Sequence, residues 1–143
     1  MTGIVIVAHT PLASAMLGFV EHTFGVMPEG VRAVDVPAHE DTKVSFERVL
    51  EAAKGVNAGA GILILTDVMG ATPANVASKL MGLGADANFR APVNVLAGVN
   101  LPMLMRCVSH RHEELEVLTQ KALQGGEQGI ARLGTQIPEA ISK

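Results

Sequence analysis

The sequence predicts an α/β fold: a mostly parallel sheet with helices on both faces, a three-layer sandwich. Three observations predict it. Short apolar runs recur at 4–8, 31–36, 61–66 and 93–97. Segments with apolar residues at helical spacing separate them. The two strongest runs, Gly3-Ile-Val-Ile-Val-Ala8 and Gly61-Ile-Leu-Ile-Leu-Thr66, do not alternate with polar residues, as parallel strands buried on both faces require. Strands alternating with helices call for right-handed parallel crossovers.

The first strand is followed by His9 and Thr10. Pro11 suits the first position of a helix, with Thr10 as its cap. Leu12, Ala15, Met16, Phe19 and Val20 then mark one helical face, and 25–30 is a turn. The second strand, 31–36, is interrupted by Arg32 and Asp35, and 37–41 is a loop. Phe46, Val49, Leu50 and Ala53 mark a second helix. The third strand, 61–66, ends at Asp67; 68–73 is a loop and 74–81 a third helix. After an irregular stretch at 82–92 comes the fourth strand, 93–97, then a short helix to about Ser109. A last helix runs from His112 to about Gln124, where Gly125 and Gly126 end or break it. Residues 130–133 read as a helical turn or an edge strand. The expected organisation is one domain over 1–133 and a mobile tail over 134–143.

Composition narrows the function classes. Hydrophobic residues make up 48% of the 143, enough for one compact core. The formal net charge is −3, and Trp and Tyr are absent. A reader of single-stranded nucleic acid needs aromatic platforms and a basic surplus, and an anionic membrane surface also calls for basic clusters. Both classes are disfavoured. The one cysteine, Cys107, rules out an internal disulfide and is compatible with a reducing compartment. The opening apolar run is far too short to span a bilayer. It reads as a buried strand of a cytoplasmic protein.

Ligands of such sheets bind beyond the carboxyl ends of the strands, at the topological switch point. His9 ends the first strand and Asp67 the third. In the common order 2-1-3-4 these strands are neighbours, so imidazole and carboxylate can meet. The carboxylate would hold one ring nitrogen as N–H and leave the other free. With no Ser or Cys nucleophile evident beside them, His9 itself is the candidate nucleophile. Gly70-Ala71-Thr72-Pro73 runs into a helix, where backbone N–H groups make an anion site. Pro73 at the first helical position wastes no donor, and Thr72 both caps the helix and offers a hydroxyl. No Lys or Arg is evident beside His9, which suits a phosphoryl group that must stay transferable.

Plainer roles stand beside these. In isolation, His9 would more often be a hydrogen-bonded structural residue, Asp67 a turn cap, and Thr72-Pro73 an ordinary helix start. His22 reads as a surface residue and His39 as a loop residue on the active face. His110 and His112 form His-x-His without further ligands to make a metal site. Met16, Met69, Met81, Met103 and Met105 mostly read as core filling, with Met69 alternatively exposed beside the site. Asn100 is either a loop-forming residue or a donor behind the site.

The chain resembles the mannose-family EIIA domain of the phosphoenolpyruvate-dependent sugar phosphotransferase system (PTS). The resemblance rests on the strand-end His9, on Leu-Thr-Asp67-Val-Met-Gly-Ala-Thr-Pro-Ala-Asn75, and on Leu-Ala-Gly98-Val-Asn-Leu-Pro-Met-Leu104. It covers roughly the first 125 residues. It implies a phosphocarrier that accepts a phosphoryl group on His9 from the carrier protein HPr and passes it to an EIIB protein. Asp67 would be the hydrogen-bond partner, and Gly70, Ala71 and Thr72 would support the phosphate. No metal, nucleotide or other cofactor is required at this step. The family is typically dimeric, with a C-terminal antiparallel strand exchanged between subunits, here 130–133. Contact with a membrane EIIC/EIID complex would run only through EIIB.

Two motifs depart from the family. Thr10-Pro11 follows the histidine where Gly is frequent, and Gly-Ala-Thr-Pro stands where Gly-Gly-Ser-Pro or Gly-Gly-Thr-Pro is common. Ala71 therefore needs an ordinary backbone conformation or a slightly strained one. No EIIB segment follows, so the acceptor is expected to be a separate chain. The same feature leaves a second function open, a regulatory module whose phosphorylated His9 controls partner binding. A receiver-like domain would place its acidic pair for Mg²⁺ where His9-Thr10 stands. A flavin site would need a phosphate loop where Pro11-Leu12-Ala13 stands.

Overall fold

A computed structural model describes residues 1–83 and 89–134. Among the described residues, four strands, β1 (Gly3–His9), β2 (Val31–Val36), β3 (Ile62–Thr66) and β4 (Val93–Ala97), form one sheet in the order β2-β1-β3-β4. Every pairing is parallel. The helices are α1 (Leu12–Phe24), α2 (Thr42–Val56), α3 (Thr72–Ser78), α4 (Leu101–Ser109) and α5 (Leu115–Gln128). A 3-10 segment, Lys79–Leu83, follows α3. The predicted α/β architecture and strand order are those observed.

Period-two alternation divides the core into two layers. Val5, Val7, Val34, Val36, Ile62 and Ile64 pack under α2 and α3. Ile4, Ile6, Ala8, Val31, Leu63 and Leu65 pack under α1, α4 and α5. The inner strands β1 and β3 are buried on both faces, which is why their sequences carry no polar alternation. Cys107 lies fully buried in α4, and burial pushes its thiol up to about 12, so it is an unreactive core residue.

Helix boundaries correct the sequence reading in several places. The N-cap of α1 is Pro11 and that of α3 is Ala71, so Thr10 and Thr72 are not caps and each proline sits one position off its expected place. Thr72 is the first residue of α3, and Pro73 the second. The third helix ends at Ser78 and tightens to 3-10 geometry before Leu83. Met81 is half-exposed rather than core.

The last helix does not stop at Gly125 or Gly126 but passes through both to Gln128. These glycines are there for packing. A Cβ on Gly125 would lie 2.7 Å from Cβ of Arg106, and one on Gly126 would lie 3.0 Å from Cε of Met103. The absence of side chains lets α5 lie directly on α4. Gly125→Ala should therefore destabilise the fold. It gains about 1 kcal/mol of helix propensity but meets an overpacking cost of about 1–3 kcal/mol. Thermal unfolding should show a melting temperature lower by several degrees; a rise would contradict this packing role.

Residues 130–133 form neither a helix nor a strand in the single chain, and Ile130 and Leu133 are 79% and 76% exposed. The predicted tail lies outside the described residues from 135 onward. No helix among the described residues is long and apolar enough to cross a membrane.

Candidate functional site

The site lies where β1 and β3 end side by side. The pairing runs Gly3 to Ile62 through Val7 to Thr66, which brings His9 and Asp67 out together at the carboxyl edge of the sheet. Asp67 Oδ2 lies 2.7 Å from Nδ1 of His9 and accepts the backbone N–H of the same residue at 2.9 Å. Its other oxygen accepts the N–H of Val68 at 2.9 Å. The carboxylate is thus fixed at both oxygens, and its side chain is only 8% exposed against 48% for His9.

Burial by itself pushes the Asp67 carboxyl up. The His9 backbone N–H, the His9 ring and the Val68 N–H outweigh it, and the carboxyl is held below its usual range. An ionised carboxylate can only accept hydrogen bonds. In the neutral ring the proton therefore sits on Nδ1 and the lone pair on Nε2. The alternation along β1 places His9 on the layer of Val5 and Val7, the side covered by α2 and α3.

Gly70 adopts φ +88°, a left-handed conformation that glycine takes without strain, and it turns the chain after Asp67 into α3. Ala71 has φ −88° and ψ 168°, ordinary extended backbone, so the departure from a second glycine costs nothing. The Ala71 N–H closes the turn onto the Val68 carbonyl at 3.2 Å. Among the described residues, the backbone N–H groups of Gly70 and Thr72 have no backbone acceptor. Gly70 and Thr72 are both exposed. The helix they open has only seven residues, so the individual N–H groups matter more than its dipole.

Other predicted residues take structural places. Asn100 caps α4: its Oδ1 accepts the Met103 N–H at 2.9 Å, and its amide donates to the Gly126 carbonyl at 3.3 Å. Met69 is 84% exposed, on the loop beside the site. His39 has φ +69° in the exposed loop after β2. His22 and His112 are exposed, and His110 Nδ1 lies 2.9 Å from the Arg106 carbonyl oxygen. No group of three or more metal-ligating side chains occurs among the described residues. The only ion-pair partner of Asp67 among them is His9.

Sequence reasoning missed one group. The Asp35 carboxylate accepts from the Ser14 hydroxyl and backbone N–H, and Arg48 donates to the Asp35 carbonyl and to Glu40. The period-two alternation of β2 was the available signal. It puts Asp35 on the face of Val31 and Ala33, toward α1.

A family model described as EIIA-man, PTS system fructose IIA component, matches residues 3–122. The chain belongs to this family. It is a component of the phosphotransferase system of the EIIA type. The mannose-specific EIIAB component of Escherichia coli (strain K12) is 28% identical over 132 residues, 91% of this chain but 39% of that protein. This EIIA chain thus spans about two fifths of the curated relative's length. The phosphotransferase system component EIIA from Streptococcus agalactiae superposes with a TM-score of 0.81 at 30% identity, covering 92% of this chain and 97% of that one. The mannose/sorbose specific IIA subunit from Enterococcus faecalis shares the fold, with a TM-score of 0.75 at 20% identity over 95% and 97% of the two chains.

Proposed function

We propose that this EIIA protein carries a phosphoryl group on Nε2 of His9, taken from phosphorylated HPr and passed to an EIIB domain. The contact between His9 Nδ1 and Asp67 at 2.7 Å carries the reading. It keeps the proton on Nδ1 and turns an unprotonated nitrogen outward. In the forward step the Nε2 lone pair attacks phosphorus in line. The P–N bond of the donor's phosphohistidine breaks, and the donor ring keeps that electron pair. Asp67 stabilises the positive charge that grows on the His9 ring, as the acid of a catalytic triad does.

Gly70 and Thr72 receive the phosphoryl oxygens through their backbone N–H groups and the Thr72 hydroxyl, and Ala71, whose N–H is taken by the Val68 carbonyl, holds the turn between them. Neutral donors and a nearby carboxylate hold the group without trapping it. The half-exposed ring suits a protein donor. Cavities of about 820 and 380 Å³ lie along α2 instead, lined by residues such as Lys43 and Glu47, and neither includes His9. The working unit is a cytoplasmic domain over 1–133 with a tail from 134, acting as a homodimer in which 130–133 supplies the exchanged strand. It meets the membrane complex only through EIIB.

The test is to incubate the purified protein with phosphoenolpyruvate, enzyme I and HPr and record intact mass at neutral to alkaline pH. One added phosphoryl mass, lost on brief acid treatment, is expected. An unchanged mass with the cognate HPr present would overturn the reading. Stable label with no transfer to any EIIB would instead favour a regulatory role.

A further inference from the structure

The Asp35 carboxylate lies on the α1 face of the sheet, opposite the face that carries His9, and is not part of the His9–Asp67 pair. Register places Asp35 opposite Ala8 and Val36 opposite His9. From there Asp35 accepts the backbone N–H of Ser14 at 3.1 Å and its hydroxyl at 2.5 Å. Ser14 is the third residue of α1, whose N–H a capping side chain would ordinarily take. The cap residue Pro11 has no side chain able to do so and makes no capping hydrogen bond. Asp35 supplies that acceptor from another strand. The Ser14 hydroxyl also lies 3.3 Å from the Pro11 carbonyl, but its single proton goes to the shorter bond with Asp35.

The strand end is braced from the other side as well. Arg48 Nη1 donates to the Asp35 carbonyl at 2.8 Å and to Glu40 Oε1 at 2.9 Å. Ser45 holds the same Glu40 oxygen at 2.6 Å. The Thr10 N–H donates to the Val36 carbonyl at 3.2 Å. The turn from His9 to Ser14 is therefore tied to the end of β2 at both its limits, by Thr10 and by Ser14. The turn thus leaves β1 from a fixed end: β2 and Asp67 hold the His9 backbone, and Asp67 also holds the ring at Nδ1.

We propose that Asp35 is a positioning residue for phosphoryl transfer at His9. It acts by capping α1 in place of a local side chain, and so fixes the turn that carries the histidine. The proposal rests on the reading of His9 as the phosphoryl carrier.

The experiment compares Asp35→Ala, Asp35→Asn, Ser14→Ala and a control, Thr2→Val. Thr2→Val removes the hydroxyl bond to the Glu113 carbonyl at the far end of β1. Two quantities are read: the ¹⁵N resonances of the His9 ring in the unphosphorylated protein, and the rate of phosphorylation by phospho-HPr. Asp35→Ala should shift the ring resonances and lower the maximal rate about 10- to 100-fold, since small misplacements of a reacting group cost this much. KM should stay within about twofold, because the docking surface is unchanged. Asp35→Asn, whose amide oxygen still accepts the Ser14 N–H, should recover most of the rate. Ser14→Ala should shift the ring the same way but less, and Thr2→Val should move neither readout.

Wild-type ring resonances and rate in Asp35→Ala would overturn the proposal. So would an equal ring shift in Thr2→Val, or an Asp35→Asn protein as slow as Asp35→Ala. If Asp35→Ala does not fold, the ring shift in Ser14→Ala decides, and its absence overturns the proposal. If the wild type takes no phosphoryl group, the carrier reading fails, and the ring resonances alone then judge Asp35.

Discussion

His9→Ala should fold like the wild type and accept no phosphoryl group from phospho-HPr. Both parts follow from the geometry. The ring is half-exposed, so its removal opens no cavity in the core. The backbone N–H of residue 9 still donates to Asp67, as does that of Val68, so the junction of β1 and β3 persists. What is lost is the one unprotonated nitrogen presented at the strand ends. Intact mass after incubation with the full relay reads the acceptance, and circular dichroism with a melting curve reads the fold. Label retained in the variant would move the acceptor to another residue. The remaining histidines, His22, His39, His110 and His112, would then be substituted in turn.

Asp67→Asn should keep the fold and slow phosphorylation by roughly 10²–10⁴-fold, the range spanned by loss of general acid–base assistance and by loss of the correct tautomer in a triad. The amide is nearly isosteric with the carboxylate, so packing is preserved. Its NH₂ group can now face the ring and donate to Nδ1, which moves the ring proton to Nε2 and blocks the nucleophile. It also removes the charge that stabilises the developing imidazolium. Rapid-quench phosphorylation by phospho-HPr measures the loss; a rate within a few-fold of wild type would remove Asp67 from the mechanism.

The same substitution has a signature in stability. The Asp67 carboxyl titrates below its usual range in the folded chain, although burial alone would raise it. A group with a depressed folded pKa contributes stability that is present above its unfolded pKa, about 3.9 for Asp. That contribution is lost as pH falls through the folded value. Melting temperatures of wild type and Asp67→Asn should therefore converge as the pH is taken down below about 4. A gap that stays constant over that range would contradict the assignment.

The parts of this fold that were legible in the sequence are those set by burial. Two-sided burial of β1 and β3 removes polar residues from their runs, so both strands, their parallel pairing and the sheet order could be read. His9 and Asp67 were legible for the same reason: adjacent strands of this order end side by side. Long-range partners were hidden. The Thr10 and Thr72 caps were inferred from local side-chain chemistry, but α1 is capped by Asp35, 21 positions away, and α3 starts from the extended Ala71. Asp35 read as a flaw in a strand because its partner lies in another element. Gly125 and Gly126 read as helix breakers because glycine signals local freedom, whereas here it permits close approach of α4, which local sequence does not reveal.

The central claim is that Asp67 reserves Nδ1 of His9 and leaves Nε2 to carry the phosphoryl group. Its most direct test is the long-range ¹H–¹⁵N spectrum of ¹⁵N-labelled protein phosphorylated by the relay and held at alkaline pH. The account predicts one phosphohistidine, at His9, with phosphorus on Nε2 and the proton retained on Nδ1. Phosphorus on Nδ1, or on any residue other than His9, would contradict it.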